Sequence, residues 1–293
     1  MMKKKTAFIA SAGALLLAAT TLYSFDWPQK ETESDSFFSY FGQLRGGTIS
    51  SSLIFRDASD VKTCEKGTVS VVILDHSDDF GWFDSSLGNT IIVDHKDQLE
   101  TVYANLDSDA IPQKFISSTQ EVKSGENLGQ SGMSGWQEGE SCLEFKVVDT
   151  KNATAVNPRI LMPRIGRELP LIAGQITLGD KNGTYHNLLN ERKLPSGFYS
   201  VYKQRQEIAV PAKTIVSVNG ATVETISYDT LKEKNGRLGA EGNSHYAKSS
   251  IYPDDTKMLV ANIQFPKGHT TLTITTFNIL GQSNSISYNL DIY

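Results

Sequence analysis

The sequence predicts an all-β protein, built as two successive antiparallel β units. Three observations predict it. Short runs that alternate apolar with polar residues, or that are rich in Val, Ile, Thr and aromatics, recur from Phe37 to the C-terminus. Turn pairs such as Asn182-Gly183 and Asn219-Gly220 punctuate them. Helical periodicity is weak, apart from one candidate helical turn near Tyr228 to Glu233. At 293 residues the chain has room for two cores of ordinary size.

At the N-terminus, Lys3, Lys4 and Lys5 precede an apolar run from Ala7 to about Ala19. A basic region followed by a short apolar one reads as a signal peptide, here residues 1–24, so the expected location is the periplasm or cell envelope. The run is short for a full span, and membrane attachment is expected only if it stays uncleaved. Without those three lysines, 25 basic residues face 33 acidic ones, a net charge of −8. That balance argues against a nucleic-acid partner, which needs a positive face for phosphate. Two cysteines in an exported chain can pair. A Cys64–Cys142 disulfide would close a long loop, worth about 4 kcal/mol in the chain-entropy model; two buried thiols are the alternative.

After a polar leader, Phe25 to Asp35, comes FFSYFGQLRGGTISSSLIF, Phe37 to Phe55. Val61 to Val72 reads as two strands about a turn at Gly67. Leu74 to Ser86 carries Asp75, His76, Asp78, Asp79 and Asp84, a solvated acidic loop without the spacing of a calcium loop. Leu87 to Leu106 reads as a hairpin, with Ile92 and Asp94 on one strand, Thr101 and Tyr103 on the other, and a polar turn at Lys96 to Gln98. Four glycines, Gly125, Gly129, Gly132 and Gly135, suit tight turns. Gly139 to Val148 reads as a strand with Cys142, Glu144 and Lys146 on one face and Leu143, Phe145 and Val147 on the other.

In their order, these stretches resemble the lysostaphin-type (LytM-like) zinc endopeptidases that cut peptidoglycan cross-bridges. Ser39, Phe41, Gly42 and Arg45 match an early element of that family; Gly88, Asn89, His95, Thr101, Tyr103 and Leu106 match its hairpin; Val156, Asn157, Pro158, Leu161 and Pro163 match its closing motif. The resemblance runs from about Ser39 to Pro163 and implies a LytM-like β domain over residues 25–165. It also implies the site positions. The family's metal ligands fall on Ser50, Ile54 and Glu144, and its assisting histidines on Asn105 and Cys142. None keeps its family identity. Ser50 is a poor zinc ligand and Ile54 is none; Asn105 takes no proton near neutral pH. His95 lies outside the family's zinc shell and reads as structural.

Beyond Pro163, seven strand-like runs follow: Leu169–Leu178, Gly197–Tyr202, Thr214–Val218, Thr222–Tyr228, Met258–Phe265, Thr270–Phe277 and Ser285–Tyr293. Seven short strands separated by turns suggest an immunoglobulin-like sandwich over residues 166–293. His186, His245 and His269 stand alone, without a second histidine at ligand spacing.

The expectation is a non-catalytic envelope protein without zinc or any other cofactor. Its remnant groove, floored by Asn105, Cys142 and Glu144, would bind peptidoglycan or a partner such as a cell-wall hydrolase. Tyr103 and Trp136 either line that groove or belong to the core. One alternative is an active zinc endopeptidase with an unusual site; another is a structural envelope protein assembling through its sandwich. GQSGMSG around Ser131 and Ser134 lacks the strand–elbow–helix setting of a serine nucleophile.

Overall fold

The computed structural model describes residues 25–30, 32–33, 35–75, 85–135, 142–172, 174–207 and 209–293. Residues 1–24, expected to be a signal peptide, together with Trp136 and His76, Asp78, Asp79 and Asp84 of the expected acidic loop, lie outside the described residues.

The first half contributes β1 (Phe37–Ser39), β2 (Leu44–Arg45), β3 (Thr48–Ile49), β4 (Leu53–Phe55), β5 (Asp60–Lys62), β6 (Gly67–Ile73), β7 (Asn89–Asp94), β8 (Leu99–Leu106), a short helix α1 (Gln113–Ser117), β9 (Gln120–Val122), β10 (Asn127–Gln130), β11 (Glu144–Asp149) and β12 (Thr154–Val156). Strands β9, β6, β7, β8, β11 and β12 lie side by side in that order, all antiparallel. The hairpin forms as the alternation predicts, with Ile91 opposite Tyr103 and Asp94 opposite Glu100. The strands flanking Gly67 both form but do not pair with each other: β5 joins β10, while β6 joins β7 and β9. Gly67 serves a close approach here, since a Cβ on it would sit 2.4 Å from the Asp94 carbonyl oxygen.

The second half contributes β13 (Ile176–Asp180), β14 (Tyr185–Asn187), β15 (Lys193–Leu194), β16 (Gly197–Gln204), β17 (Lys213–Val218), β18 (Ala221–Lys234), β19 (Arg237–Glu241), β20 (His245–Ala247), a helical turn α2 (Lys248–Ile251), β21 (Lys257–Phe265), β22 (Gly268–Phe277) and β23 (Ser283–Ile292). One sheet runs β14-β13-β16-β21; the other runs β15-β23-β22-β17-β18. Ile176, Val201, Val216, Phe265, Leu272 and Leu290 fill the core between them. The seven long strands divide as first, second and fifth against third, fourth, sixth and seventh, an immunoglobulin-type partition. The predicted run at Leu169 enters a strand only at Ile176, and β14, β15, β19 and β20 are too short and polar to show a period in the sequence.

Strand β18 corrects the expected helical turn at Tyr228 to Glu233. Tyr228 and Leu231 are both buried and three residues apart, which mimics helical spacing. The cause is an irregularity in register against β19 between Ser227 and Lys232, which shifts the inward phase of the strand. The same strand carries the sheet across the molecule. Ala221–Ser227 pairs with β17, and Thr230–Lys232 pairs with β12. Phe37, Phe55 and Phe145 of the first half thus share one core with Tyr228, Leu231, Tyr252 and Leu259 of the second. The Tyr252 hydroxyl donates to the Gly42 carbonyl at 2.7 Å, and the Gln43 side-chain amide donates to the Glu207 carbonyl. Both contacts hold the segment that leads into β2 and β3.

Candidate functional site

Three strands bring the site residues together. Glu144 at the start of β11 lies opposite Ile54 of β4 on one side and Ala104 of β8 on the other. Asn105 follows Ala104, and Cys142 lies two residues before Glu144 on the same face. On the opposite face Leu143 and Phe145 are fully buried, and the Phe145 ring packs 5.3 Å from that of Tyr103. The two-faced reading holds from Glu144 to Val147, but the strand begins at Glu144 and not at Gly139: Cys142 and Leu143 precede it, and Gly139, Glu140 and Ser141 lie outside the described residues.

Asn105 is buried and committed to the backbone. Its Nδ2 donates to the Cys142 carbonyl, and its Oδ1 accepts from the Gly135 N–H at 2.8 Å. Its φ of +63° lies in the left-handed region, which Asn tolerates better than most side chains. Ser50 is also buried, and its hydroxyl donates to the Ser52 carbonyl at 3.2 Å. Ile54 is 0% exposed.

Glu144 is the one carboxylate of the set, and it lies between two cations. Lys146 Nζ is 3.2 Å from Oε1, and Arg45 Nη1 is 3.8 Å from Oε2. Burial pushes the carboxyl up, but Lys146, a hydrogen bond from Ser52 and the Arg45 charge together outweigh it and leave the group below the usual carboxylate range. Burial likewise pushes the Cys142 thiol up, with Arg45 opposing and Glu144 adding to the rise. Arg45 is presented by the β2–β3 hairpin, whose Gly46-Gly47 turn has positive φ at both residues.

A catalytic zinc needs three protein donors and an open position. These residues do not fit that requirement. Ile54 offers no donor, the Asn105 amide is bonded to backbone, and Glu144 already faces two positive groups that oppose a third. Among the described residues, no cluster of three or more His, Cys, Asp or Glu is arranged to hold a metal.

Several sequence expectations change. The Cys64–Cys142 disulfide is not formed, and both cysteines are buried. Cys64 Sγ lies 2.8 Å from the Tyr103 hydroxyl, which also accepts from the Cys64 N–H at 2.9 Å, and burial pushes the Cys64 thiol up to about 12. Tyr103 therefore belongs to the core and does not line a groove. His95 is structural: Nδ1 donates to the Lys66 carbonyl at 2.9 Å, and Nε2 accepts from Thr101 Oγ1 at 2.7 Å. Ser134 holds the Leu106 carbonyl and the Asn89 N–H, a structural task. Ser52 escaped sequence reasoning, because nothing in its neighbourhood singles it out. Arg45 and Lys146 were visible, but their convergence on one carboxylate depends on strand pairing.

The family model described as "Peptidase family M23" matches residues 53–158, and a second model, which carries no description, matches residues 170–293. An uncharacterized protein of Treponema pallidum (strain Nichols) is 36% identical over 135 residues, covering 42% of this chain and 88% of that protein. Among solved structures, a zinc-containing peptidase from Vibrio cholerae aligns with a TM-score of 0.36 at 21% identity, covering 50% of this chain. The chain spans 41% of that structure, less than half its length. The complex of SpoIIIAH and SpoIIQ supplies another neighbour, with a TM-score of 0.35 at 22% identity, covering 46% of this chain and 96% of the matched one. The matched segment, running from the Leu53 strand through the Glu144 strand to Pro158, is a peptidase family M23 domain within this chain.

Proposed function

We propose that this protein is a non-catalytic member of its family, exported to the cell envelope, where it binds peptidoglycan or regulates a cell-wall hydrolase. It works without a resident zinc. The observation that carries the reading is the environment of Glu144, where Lys146 and Arg45 stand beside the only carboxylate of the five family site positions. Hydrolysis also needs a group that takes and returns a proton. Asn105 has none to exchange, and the Cys142 thiol is held protonated by burial.

The test combines metal content with binding. The full chain is incubated with zinc, freed of loosely bound metal and subjected to elemental analysis, then sedimented with purified sacculi. The expected result is less than about a tenth of an equivalent of zinc, with co-sedimentation and no release of peptides. One tightly held zinc per chain, together with cleavage of cross-bridge peptides, would sink the reading.

A further inference from the structure

We propose that Arg45 and Lys146 form a binding site for a single carboxylate, the free C-terminus of a peptide, at the place where the family carries its metal. This rests on the non-catalytic reading above and names the ligand chemistry of the same site. Three groups define it. Glu144 is 7% exposed, whereas the side chains of Arg45 and Lys146 are 30% and 23% exposed, so the two cations are the parts that reach solvent. Two cations paired with one carboxylate give the three groups one net positive charge.

The donors of Arg45 are unspent. At 3.8 Å its approach to Glu144 is too long for a hydrogen bond, and among the described residues its guanidinium makes no other polar contact. A guanidinium has five N–H donors in a planar fork that matches a carboxylate. The backbone that presents the fork is held in place. The strand pair that presents it is closed by Leu44 opposite Ile49 and Arg45 opposite Thr48, and its base is tied to the second half through Tyr252 and Glu207. A ligand bound there meets a side chain on an anchored hairpin, so binding need not order the backbone.

Charge selects the ligand. One net positive charge suits a monoanion, and the ionised Glu144 repels the doubly charged form of a phosphate. Lys146 adds a second donor on the Glu144 face of β11. The site therefore replaces the family's metal cation with fixed side-chain cations that hold a peptide end instead of polarising a peptide bond.

The test titrates the full chain, by NMR chemical shift, with N-acetyl-dialanine bearing a free carboxylate, with its C-terminal amide and with inorganic phosphate. The expected order is carboxylate first, with the amide weaker by about tenfold or more. R45Q lowers carboxylate affinity by a similar factor, K146Q by less, and E144Q raises it, because the competing internal anion is gone. A merely structural role for Glu144 would not strengthen binding when removed. Should E144Q fail to fold, the fall in wild-type affinity with added salt, and its absence in R45Q, carry the same information. Equal affinity for acid and amide, no binding of either, indifference to R45Q, or tighter binding of phosphate would each overturn the site. Sacculus binding that persists in R45Q defeats this site alone, whereas zinc-dependent cleavage defeats the reading beneath it.

Discussion

The Asn105 side-chain amide donates to the Cys142 backbone carbonyl, and so ties the end of β8 to the segment that leads into the Glu144 strand. Together with the bond from Gly135 N–H to Asn105 Oδ1, this makes Asn105 a brace between β8, the Gly132–Gly135 turn and the entry to β11.

The brace is testable. Asn105→Ala removes the bonds to the Cys142 carbonyl and from the Gly135 N–H and puts a Cβ-bearing residue at φ +63° without a compensating bond. The expected loss is about 2–4 kcal/mol of unfolding free energy, read by urea denaturation. Asn105→Gly removes the backbone strain but not the lost bonds, so it is expected to lose less. A variant as stable as wild type would show that the brace has no stabilising role.

Lys203 is 1% exposed and its Nζ has no hydrogen-bond partner. Burial lowers its pKa to about 8, whereas an unfolded lysine titrates near ~10.4. Between those values the unfolded chain binds more protons than the folded one, so stability rises as pH climbs from about 8 to about 10. Lys203→Met is expected to stabilise the protein at pH 7 by about 3 kcal/mol and to remove that rise. Denaturant midpoints of both proteins across this range decide it.

Glu144 runs the other way. Its carboxyl lies below the ordinary range, so it contributes stability above the unfolded pKa, lost as pH falls through the lower folded value. The double variant R45Q/K146Q keeps the burial and removes both cations. Its expected cost is about 2 kcal/mol at neutral pH, with the carboxyl now titrating above the usual range by NMR. A carboxyl that still titrates low would mean that Ser52 alone accounts for the shift.

His95 contributes in a third way. Burial lowers its pKa, while the Lys66 carbonyl and nearby acids partly oppose that. The unfolded chain then takes up a proton first as pH falls below about 6.5, so stability is lost on acidification through that point. Unfolding free energies at pH 7.5 and 5.5 are expected to differ by less in His95→Gln than in wild type, and the ring protons of His95 to titrate below pH ~6.5.

Local patterns were legible in the sequence. The two faces of the Glu144 strand, the Leu87–Leu106 hairpin and the seven strands of the second half follow from alternation and turn chemistry, which act between near neighbours. The same locality explains the error at Tyr228 and Leu231, where a register irregularity gave a strand the spacing of a helix. Tyr103 shows the other kind of miss. Its alternation placed it on a strand, but only the packing of Phe145 and the bond to Cys64 put it inside the core.

By itself the sequence determined that the chain is all-β and that one stretch follows the peptidase order of motifs, a resemblance that implies site positions at Ser50, Ile54, Asn105, Cys142 and Glu144. The tertiary structure alone decided what surrounds them. Ile54, Ala104 and Glu144 meet through pairing between strands far apart in the chain. Arg45 reaches Glu144 from a hairpin that Tyr252 helps to anchor from the other half of the molecule. Charge on a buried carboxylate depends on which groups lie within a few ångströms of it, and that distance is a property of the fold and not of the order of residues.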